Sequence, residues 1–277
     1  MDLKLIEQDE HNLSFVIKGI SIEMANALRR IMMSEVPVMA IDETIFLKND
    51  SPLYDEIVSH RLGMIPLKTD LDSYNLPSEC ECGGFGCPLC QVSLTCEVEN
   101  TSKEPVVVYS GDLKSEDPNI VPVNPYIPIL KIDKGSKLIL EAYAILGRAK
   151  DHVKWQPLSN AFYRFYPDIK FDQKKCKNCS DKCISTRMCP KKLFTFSNGN
   201  PPILKEDYWK TCSLCKSCED NCAENAIEVG FKDDTYIFFL ESDGVLPFDV
   251  LLRKTFEIFL GKIEEFILKL EQVEIKE

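Results

Sequence analysis

The chain has 277 residues, of which 44% are hydrophobic and 28% are charged, and its formal net charge is −11 at pH 7. These values are ordinary for a folded protein and allow one large core or two to three small domains. Because proteins that bind nucleic acid alone usually present a basic surface, the acidic total argues against a stand-alone nucleic-acid binder. The charged N-terminus lacks the apolar stretch of a signal peptide, and no apolar run approaches the ~20 residues of a membrane span. We therefore expect a cytoplasmic protein with no membrane contact.

The N-terminal segment predicts a hairpin followed by a helix. Apolar residues alternate with polar ones at Leu3 and Leu5 and again over 13–17, and the polar stretch between them supplies a turn. An apolar stripe at helical spacing begins after Ser21, a residue suited to an N-cap, and Pro37 is expected to end the helix.

The middle of the chain predicts a mixture of strands and short helices. Apolar alternation and turn residues define the expected elements, which are strands at 41–47, 92–98, 106–109, 138–145, 161–166, 226–231 and 235–241, a helix at 54–62 and a loop at 117–128. Asp233-Asp234 is expected to form the turn between the last two strands. A cysteine-rich insert over 174–225 interrupts the series.

The C-terminal region predicts a helix with a wide apolar stripe, beginning near Pro247. Its apolar residues recur at alternating spacings of four and three, the a/d pattern of a helix seam, at Leu252, Phe256, Phe259, Ile263, Phe266 and Leu270. Packing on the protein's own sheet and contact with a second subunit both explain this pattern. The width of the stripe favours the subunit interface.

Thirteen cysteines are confined to two windows, 80–96 and 176–222. In a reducing compartment such clusters indicate metal sites rather than disulfides. The strongest signal is C-x2-C-x2-C-x3-C at Cys212, Cys215, Cys218 and Cys222, which is the spacing of the bacterial ferredoxin run. Zinc sites usually separate two close cysteine pairs, so this run favours an iron–sulfur cluster.

An upstream run reads C-x2-C-x3-C-x5-C-P, with its cysteines at Cys176, Cys179, Cys183 and Cys189. The terminal C-P matches the ferredoxin signature, although the middle spacings are longer and Cys222 is followed by alanine. The ferredoxin rule, in which the fourth cysteine binds the other cluster, predicts two [4Fe–4S] sets. The first is Cys176, Cys179, Cys183 and Cys222, and the second is Cys212, Cys215, Cys218 and Cys189. The alternatives are that one cluster is [3Fe–4S] or absent, and that the upstream four form a zinc site or free thiols.

A third group lies in the sequence ECECGGFGCPLCQ. Two close pairs, Cys80 with Cys82 and Cys87 with Cys90, face each other across a glycine-rich loop. Four thiolates around one ion are typical of structural zinc, with an iron site as the alternative. Cys96 falls on a strand pattern and is expected to be a small buried residue. The sequence shows no glycine-rich phosphate loop and no Ser/His/Asp arrangement, so we expect no catalytic residue on this chain.

Three further blocks carry a family resemblance. The segments 26–42, 55–67 and 147–155 resemble, in the same order, three sequence blocks of the D-type subunit of archaeal DNA-directed RNA polymerase. The chain is also similar to the eukaryotic third-largest polymerase subunit and, more distantly, to the bacterial alpha subunit. The Cys80–Cys90 loop lies where the eukaryotic subunit holds zinc, and a ferredoxin-like insert is particular to the archaeal D-type subunits.

The resemblance implies an α+β fold in three parts. A discontinuous, alpha-subunit-like dimerisation domain is expected over 1–40, 153–168 and 226–277. A mixed middle domain with the zinc loop is inserted at 41–152, and a ferredoxin-like iron–sulfur domain is inserted at 169–225.

The resemblance also implies a function as a non-catalytic assembly platform of the polymerase, with nucleotidyl transfer carried out by the two large subunits. The expected partners are a smaller L-type subunit, which forms a heterodimer, then the small N-type and P-type subunits and the large subunits, without sequence-specific DNA contact. The expected interface residues are Leu28, Ile31, Met32, Phe256, Phe259 and Ile263, with Arg29 and Arg30 contacting the large subunits. The clusters would stabilise or regulate assembly. The alternative is a ferredoxin-like electron-transfer subunit of an oxidoreductase, although flavin and nicotinamide motifs are not recognisable.

Overall fold

The computed structural model describes residues 1–175, 183–195 and 202–272, which form a mixed α and β structure. The strands are β1 Asp2–Gln8, β2 Asn12–Lys18, β3 Val38–Asn49, β4 Gln91–Glu99, β5 Val106–Tyr109, β6 Lys114–Ser115, β7 Pro128–Ile132, β8 Lys137–Gly147, β9 Asn160–Phe171, β10 Phe194–Thr195, β11 Ile203–Leu204 and β12 Ile227–Glu241. The α-helices are α1 Ile22–Ser34, α2 Asp55–Gly63, α3 Ile184–Arg187, α4 Tyr208–Thr211, α5 Ser217–Asp220 and α6 Phe248–Glu271.

The strands form two larger sheets and two hairpin-sized ones. One four-stranded sheet has the order β1-β2-β12-β9, and the other has the order β3-β8-β4-β6. Strands β5 and β7 pair with each other, as do β10 and β11. Some neighbouring strands of a sheet are far apart in sequence. In chain order, the cysteine-rich insert comes between β9 and β12, which are neighbours in one sheet.

The backbone contacts divide the chain into two compact units. The first comprises 1–6, 14–25 and 163–238, and the second comprises 7–13, 26–162 and 239–277. Aromatic pairs fill the first unit: the ring centroids of Phe15 and Phe238 are 5.3 Å apart and stacked, and those of Phe165 and Phe231 are 4.4 Å apart. Such pairs add about 0.5–1.5 kcal/mol beyond their area burial. The five segment boundaries proposed from the sequence stay predictions.

The second unit contains the long antiparallel pairing of β8 with its two neighbours. Val38 is opposite Gly147 at one end of the β3–β8 ladder, and Gln91 is opposite Ile145 on the other side of β8. Alternate residues of β4 and β8 are buried, including Leu94 and Leu140. Helix α2 contributes buried apolar side chains to the same core. The period of two therefore places one face of the sheet on the core.

Helix α6 is packed only at its beginning. Phe248, Leu251 and Thr255 are buried, whereas every residue of 260–271 is exposed. Within the second unit, the Lys262 amine lies 2.6 Å from the Glu35 carboxylate, just after the end of α1. This ion pair gives the helix a lateral contact at the point where its apolar packing ends.

Several predicted elements are confirmed. Helix α1 ends before Pro37, and the Met24 amide donates a 3.4 Å hydrogen bond to the Ser21 hydroxyl, as expected of an N-cap. Strand β5 has the predicted bounds, and α2 matches the expected short helix. Strand β7 lies just beyond the expected loop and was not predicted, because Pro128 at its start suggested irregular structure.

The predicted turn at Asp233-Asp234 is wrong. Strand β12 runs without interruption from Ile227 to Glu241 and carries both aspartates. The Gly19 amide donates a 2.7 Å hydrogen bond to the Asp234 carbonyl, so the backbone here is held by the end of β2 rather than folding back on itself. Because both aspartates are exposed, their polarity requires no turn.

Among the residues that the structure describes, no helix combines the length and apolar character needed to cross a membrane.

Candidate metal centres

The loop between Cys80 and Cys90 is shaped by its glycines. A single 3₁₀ turn, Pro77–Glu79, leads into Cys80, and β4 begins directly after Cys90. Gly83, Gly84 and Gly86 all have positive φ angles, between 68° and 85°. Residues with a Cβ rarely adopt this conformation, so the glycines allow the chain to reverse within a few residues.

The four predicted zinc ligands of this loop converge on one point. The Sγ–Sγ distances are 3.5 Å for Cys80–Cys87, Cys80–Cys82 and Cys82–Cys90, and 3.8 Å for Cys87–Cys90. All four sulfur atoms lie within 4.8 Å of one another. Four sulfurs at about 2.3 Å from a tetrahedral zinc would be about 3.8 Å apart. The quartet therefore has the spacing needed to hold one metal ion.

Crowding separates the pKa values of these thiols. A hydrogen bond from Cys80 is the main cause that lowers the pKa of Cys82 to about 6. A hydrogen bond with the Cys82 backbone lowers the pKa of Cys80, but desolvation and hydrogen bonds with the neighbouring thiols outweigh it and raise that pKa to about 12. Desolvation also raises the pKa of Cys90. Since metals bind thiolates, metal binding here must displace protons.

The surroundings of the quartet favour a structural site. Cys80 and Cys90 are buried, and a complete set of four thiolates leaves no open coordination position for a substrate. The loop is joined to the end of β8 by an ion pair, with Arg148 Nη2 lying 3.0 Å from the Glu79 carboxylate.

Most of the insert cysteines that the structure describes are buried, and they do not form a close quartet like that of the Cys80–Cys90 loop. Cys189, Cys212, Cys218 and Cys222 belong to one apolar cluster with residues such as Leu193 and Phe194, and Cys183 is also buried. Cys215 is exposed. Cys176 and Cys179, two predicted ligands of the first cluster, lie outside the described residues.

The loop from Cys212 to Cys218 has a backbone suited to an anion. Leu214 and Lys216 have φ angles of 55° and 58°, a left-handed conformation that turns successive amides inward. The Leu214 amide donates to Cys212 Sγ at 3.4 Å, and the Ala226 amide donates to Cys222 Sγ at 3.2 Å. Amide donors of this kind stabilise thiolates and the anionic clusters that they bind.

The electrostatic contacts link the members of the predicted second set. Burial is the main cause that raises the pKa of Cys212, and Cys215 and Cys189 act in the same direction. Burial, followed by Cys189 and Cys212, raises the pKa of Cys218 to about 11. The Ser217 hydroxyl lowers the pKa of Cys215. Cysteines that influence one another without meeting at one point fit a cluster of several irons better than a single ion.

Arg164 is a residue of this region that the sequence analysis missed. It lies on β9, and its guanidinium donates hydrogen bonds to three backbone carbonyls next to the first cysteine of the run, those of Trp209, Lys210 and Cys212. The available signal was a lone charge in the aromatic stretch 162–166, because a half-buried charge in a strand requires partners. These three acceptors lie more than forty residues away and are main-chain atoms.

The predicted interface residues fall into two groups. Leu28, Ile31 and Met32 are 1%, 6% and 2% exposed, so the chain itself already covers them. Phe256 and Phe259 are half-buried, and Ile263 is exposed. The Arg29 guanidinium contacts the Asn26 side chain, whereas Arg30 is exposed. Among the predicted interface residues, the most accessible ones are therefore on α6 and at Arg30.

The chain is similar to known subunits of RNA polymerase. A family model described as the RNA polymerase Rpb3/RpoA insert domain matches residues 39–164, which contain the Cys80–Cys90 loop. The chain thus has the insert of the alpha-like polymerase subunits. It is 38% identical over 99% of both chains to "DNA-directed RNA polymerase subunit Rpo3" of Methanosarcina acetivorans. The like-named protein of Methanothermobacter thermautotrophicus is 40% identical over 96% of this chain and 98% of its own. This protein belongs to the Rpo3 family of archaeal RNA polymerase subunits.

Proposed function

We propose that this chain is the assembly-platform subunit of a cytoplasmic DNA-directed RNA polymerase, of the archaeal D type, and that it contributes no catalytic residue. The observation that carries the proposal is the second half of α6. Six large apolar side chains there are 41–62% exposed: Leu260, Ile263, Phe266, Ile267, Leu268 and Leu270. A helix that is apolar on several sides and unpacked needs a partner surface.

The proposed partner of α6 is the smaller L-type subunit, whose corresponding helices would cover this surface. The pair would then recruit the N-type and P-type subunits and the two large subunits, which perform nucleotidyl transfer. Exposed Arg30 is the residue we assign to contact with a large subunit. Leu28, Ile31 and Met32 support the interface from beneath, because they anchor α1 in the core of the chain.

The cysteines would stabilise this platform. We assign one zinc ion to Cys80, Cys82, Cys87 and Cys90, on the basis of their tetrahedral spacing. We assign [4Fe–4S] clusters to the two sets predicted from the sequence, one with Cys183 and Cys222 among its ligands and one with Cys189 and Cys212. The amides that donate to Cys212 Sγ and Cys222 Sγ, together with the buried thiols of the insert, support an anionic cluster.

The test is co-purification of tagged chains with the other polymerase subunits. Phe266→Asp places a charge in the middle of the exposed apolar surface, and Glu264→Ala changes an exposed polar residue of the same helix. Truncation at an interface anchor costs about 2 kcal/mol or more, so we expect affinity for the smaller subunit to fall at least about thirtyfold in the first variant. The Glu264 variant should assemble normally. Full assembly of the Phe266→Asp chain would contradict the proposal.

A further inference from the structure

Arg164 makes three hydrogen bonds to the segment that introduces the second cysteine run. Its Nη2 donates to the Trp209 carbonyl at 3.3 Å and also to the Lys210 carbonyl, and its Nη1 donates to the Cys212 carbonyl. All of these atoms belong to the first compact unit. The guanidinium is half-buried, so these contacts are partly shielded from water.

The three acceptors are the carbonyls that a helix end leaves without donors. Helix α4, Tyr208–Thr211, is a single turn, and Cys212 is its C-cap in an extended conformation. The last carbonyls of a helix have no intrahelical partner and favour a cation. A guanidinium offers several donors in a rigid fork, so one side chain satisfies three of these groups together. The contacts fix the direction in which the chain leaves α4 toward the Cys212 sulfur.

A second side chain of β9 supports the same segment. Tyr166 lies two residues beyond Arg164 and therefore points to the same face of the strand. Its ring stacks on Trp209, with centroids 5.3 Å apart and planes 17° apart. The turn before Cys212 is thus held by a hydrogen-bonding contact and by an aromatic contact from one strand.

We propose that Arg164 is a positioning residue for the iron–sulfur cluster bound by Cys189, Cys212, Cys215 and Cys218, holding the Cys212 segment on β9 and placing a fixed positive charge beside the cluster. This inference rests on the proposed function, which assigns the cluster. Its consequences are physical: a held segment slows loss of iron, and a nearby cation stabilises the more negative, reduced cluster.

Three variants separate these two effects in the complex purified without oxygen. Arg164→Met removes both the hydrogen-bond donors and the charge. Arg164→Lys keeps the charge but loses the planar arrangement of guanidinium donors. Lys170→Met is the matched control, because it removes a charge from the same strand at a position where the contact within the described residues is an exposed ion pair with Glu228. Iron release to a chelator and the cluster reduction potential are measured, with zinc content and circular dichroism as checks of folding.

We expect iron release from Arg164→Met to be about fivefold faster or more, because each lost hydrogen bond weakens the hold on the segment by roughly that factor. Its reduction potential should also be lower than that of the unchanged chain. Arg164→Lys should release iron faster with little change in potential, and Lys170→Met should match the unchanged chain in both. If Arg164→Met does not fold, as judged by circular dichroism, the release rate of Arg164→Lys decides.

Two outcomes count against the inference and are distinguishable. If the unchanged chain holds a cluster and the Arg164 variants match Lys170→Met in release rate and potential, the positioning role is wrong and the cluster assignment stands. If the unchanged chain takes up no iron and sulfide, the cluster assignment of the proposed function fails, and the inference fails with it.

Discussion

The two cysteine regions of this chain solve different physical problems. In the Cys80–Cys90 loop, four sulfurs meet with neighbouring separations of 3.5–3.8 Å, and the chain reaches this geometry through glycines. In the insert, Cys189, Cys212, Cys218 and Cys222 line an apolar cluster, and the described insert cysteines form no such quartet. The first arrangement has the spacing for a single ion, and the second suits the larger anionic cluster that we propose for the insert.

The protein contacts that hold the two cysteine regions in place also differ. The zinc loop is joined to β8 by one ion pair whose partners, Arg148 and Glu79, are 29% and 61% exposed. The insert loop is joined to β9 by a half-buried arginine with three carbonyl acceptors. Exposed ion pairs contribute little, so we expect the metal that we propose for the Cys80–Cys90 loop to order that loop, whereas protein contacts help to order the insert.

The largest expected effect is complete loss of zinc from Cys90→Ala. Removing one of four thiolates opens a site whose metal supplies much of the local folding energy. Cys96→Ala is the matched control, because Cys90 and Cys96 are both 1% exposed but Cys96 lies on β4 outside the quartet. Elemental analysis should find zinc only in the control, with iron unchanged in both. Equal zinc in the two variants would show that the quartet is not the site.

Zinc affinity should also depend steeply on pH. The pKa of Cys80 is raised to about 12 and that of Cys90 is raised, so both bear protons at neutral pH and must lose them to bind the metal. Higher pH therefore favours binding, and release of these two protons alone raises affinity about a hundredfold per pH unit, so the full dependence is at least this steep. Below pH 6 the Cys82 thiolate also gains a proton, so the dependence steepens. A competition titration between pH 5 and 8 measures this, and a flat profile would contradict it.

A smaller effect, a partial loss of iron, is expected when one cysteine of the insert is replaced. Cys212→Ala removes a ligand of one proposed cluster and leaves the other set intact, so iron should fall by about half while zinc stays constant. Iron, sulfide and zinc are measured on the same anaerobic sample. If zinc fell together with iron, the two regions would not be independent, and their contrast would be lost.

The smallest effect is expected for Arg148→Met. This change removes the exposed ion pair with Glu79 and should lower the free energy of unfolding by at most about 1 kcal/mol. Zinc content should be unchanged. Chemical denaturation gives the energy, and a variant that lost zinc would show that the loop depends on its side-chain support as the insert depends on Arg164.

The local patterns of the sequence predicted much of the fold and the convergence of the Cys80–Cys90 quartet, and zinc as its metal stays a prediction. Pro37, Ser21 and the alternation over 92–98 each have a local physical meaning, and the structure agrees at each place. The quartet was predictable because C-x-C and C-x2-C with glycines between them leave few other geometries. The convergence of the four sulfur atoms is the part of the zinc prediction that the structure tests.

The misses came from contacts that are distant in sequence. Asp233-Asp234 has turn chemistry, but the hydrogen bond from Gly19 keeps the strand extended. The apolar stripe of α1 does not reveal whether its own chain or a partner covers it. Leu28, Ile31 and Met32 are buried within the chain, and their place at an interface stays a prediction. Arg164 binds main-chain carbonyls, which have no sequence signature.

The most direct test of the account is native mass spectrometry of the tagged chain, purified without oxygen from its own host. We expect the smaller subunit and the large polymerase subunits to accompany the chain. We also expect the mass of the chain to exceed that of its polypeptide by one zinc ion and two [4Fe–4S] clusters. Recovery of the chain alone, or with a redox enzyme in place of polymerase subunits, would contradict the assembly-platform function and favour an electron-transfer protein.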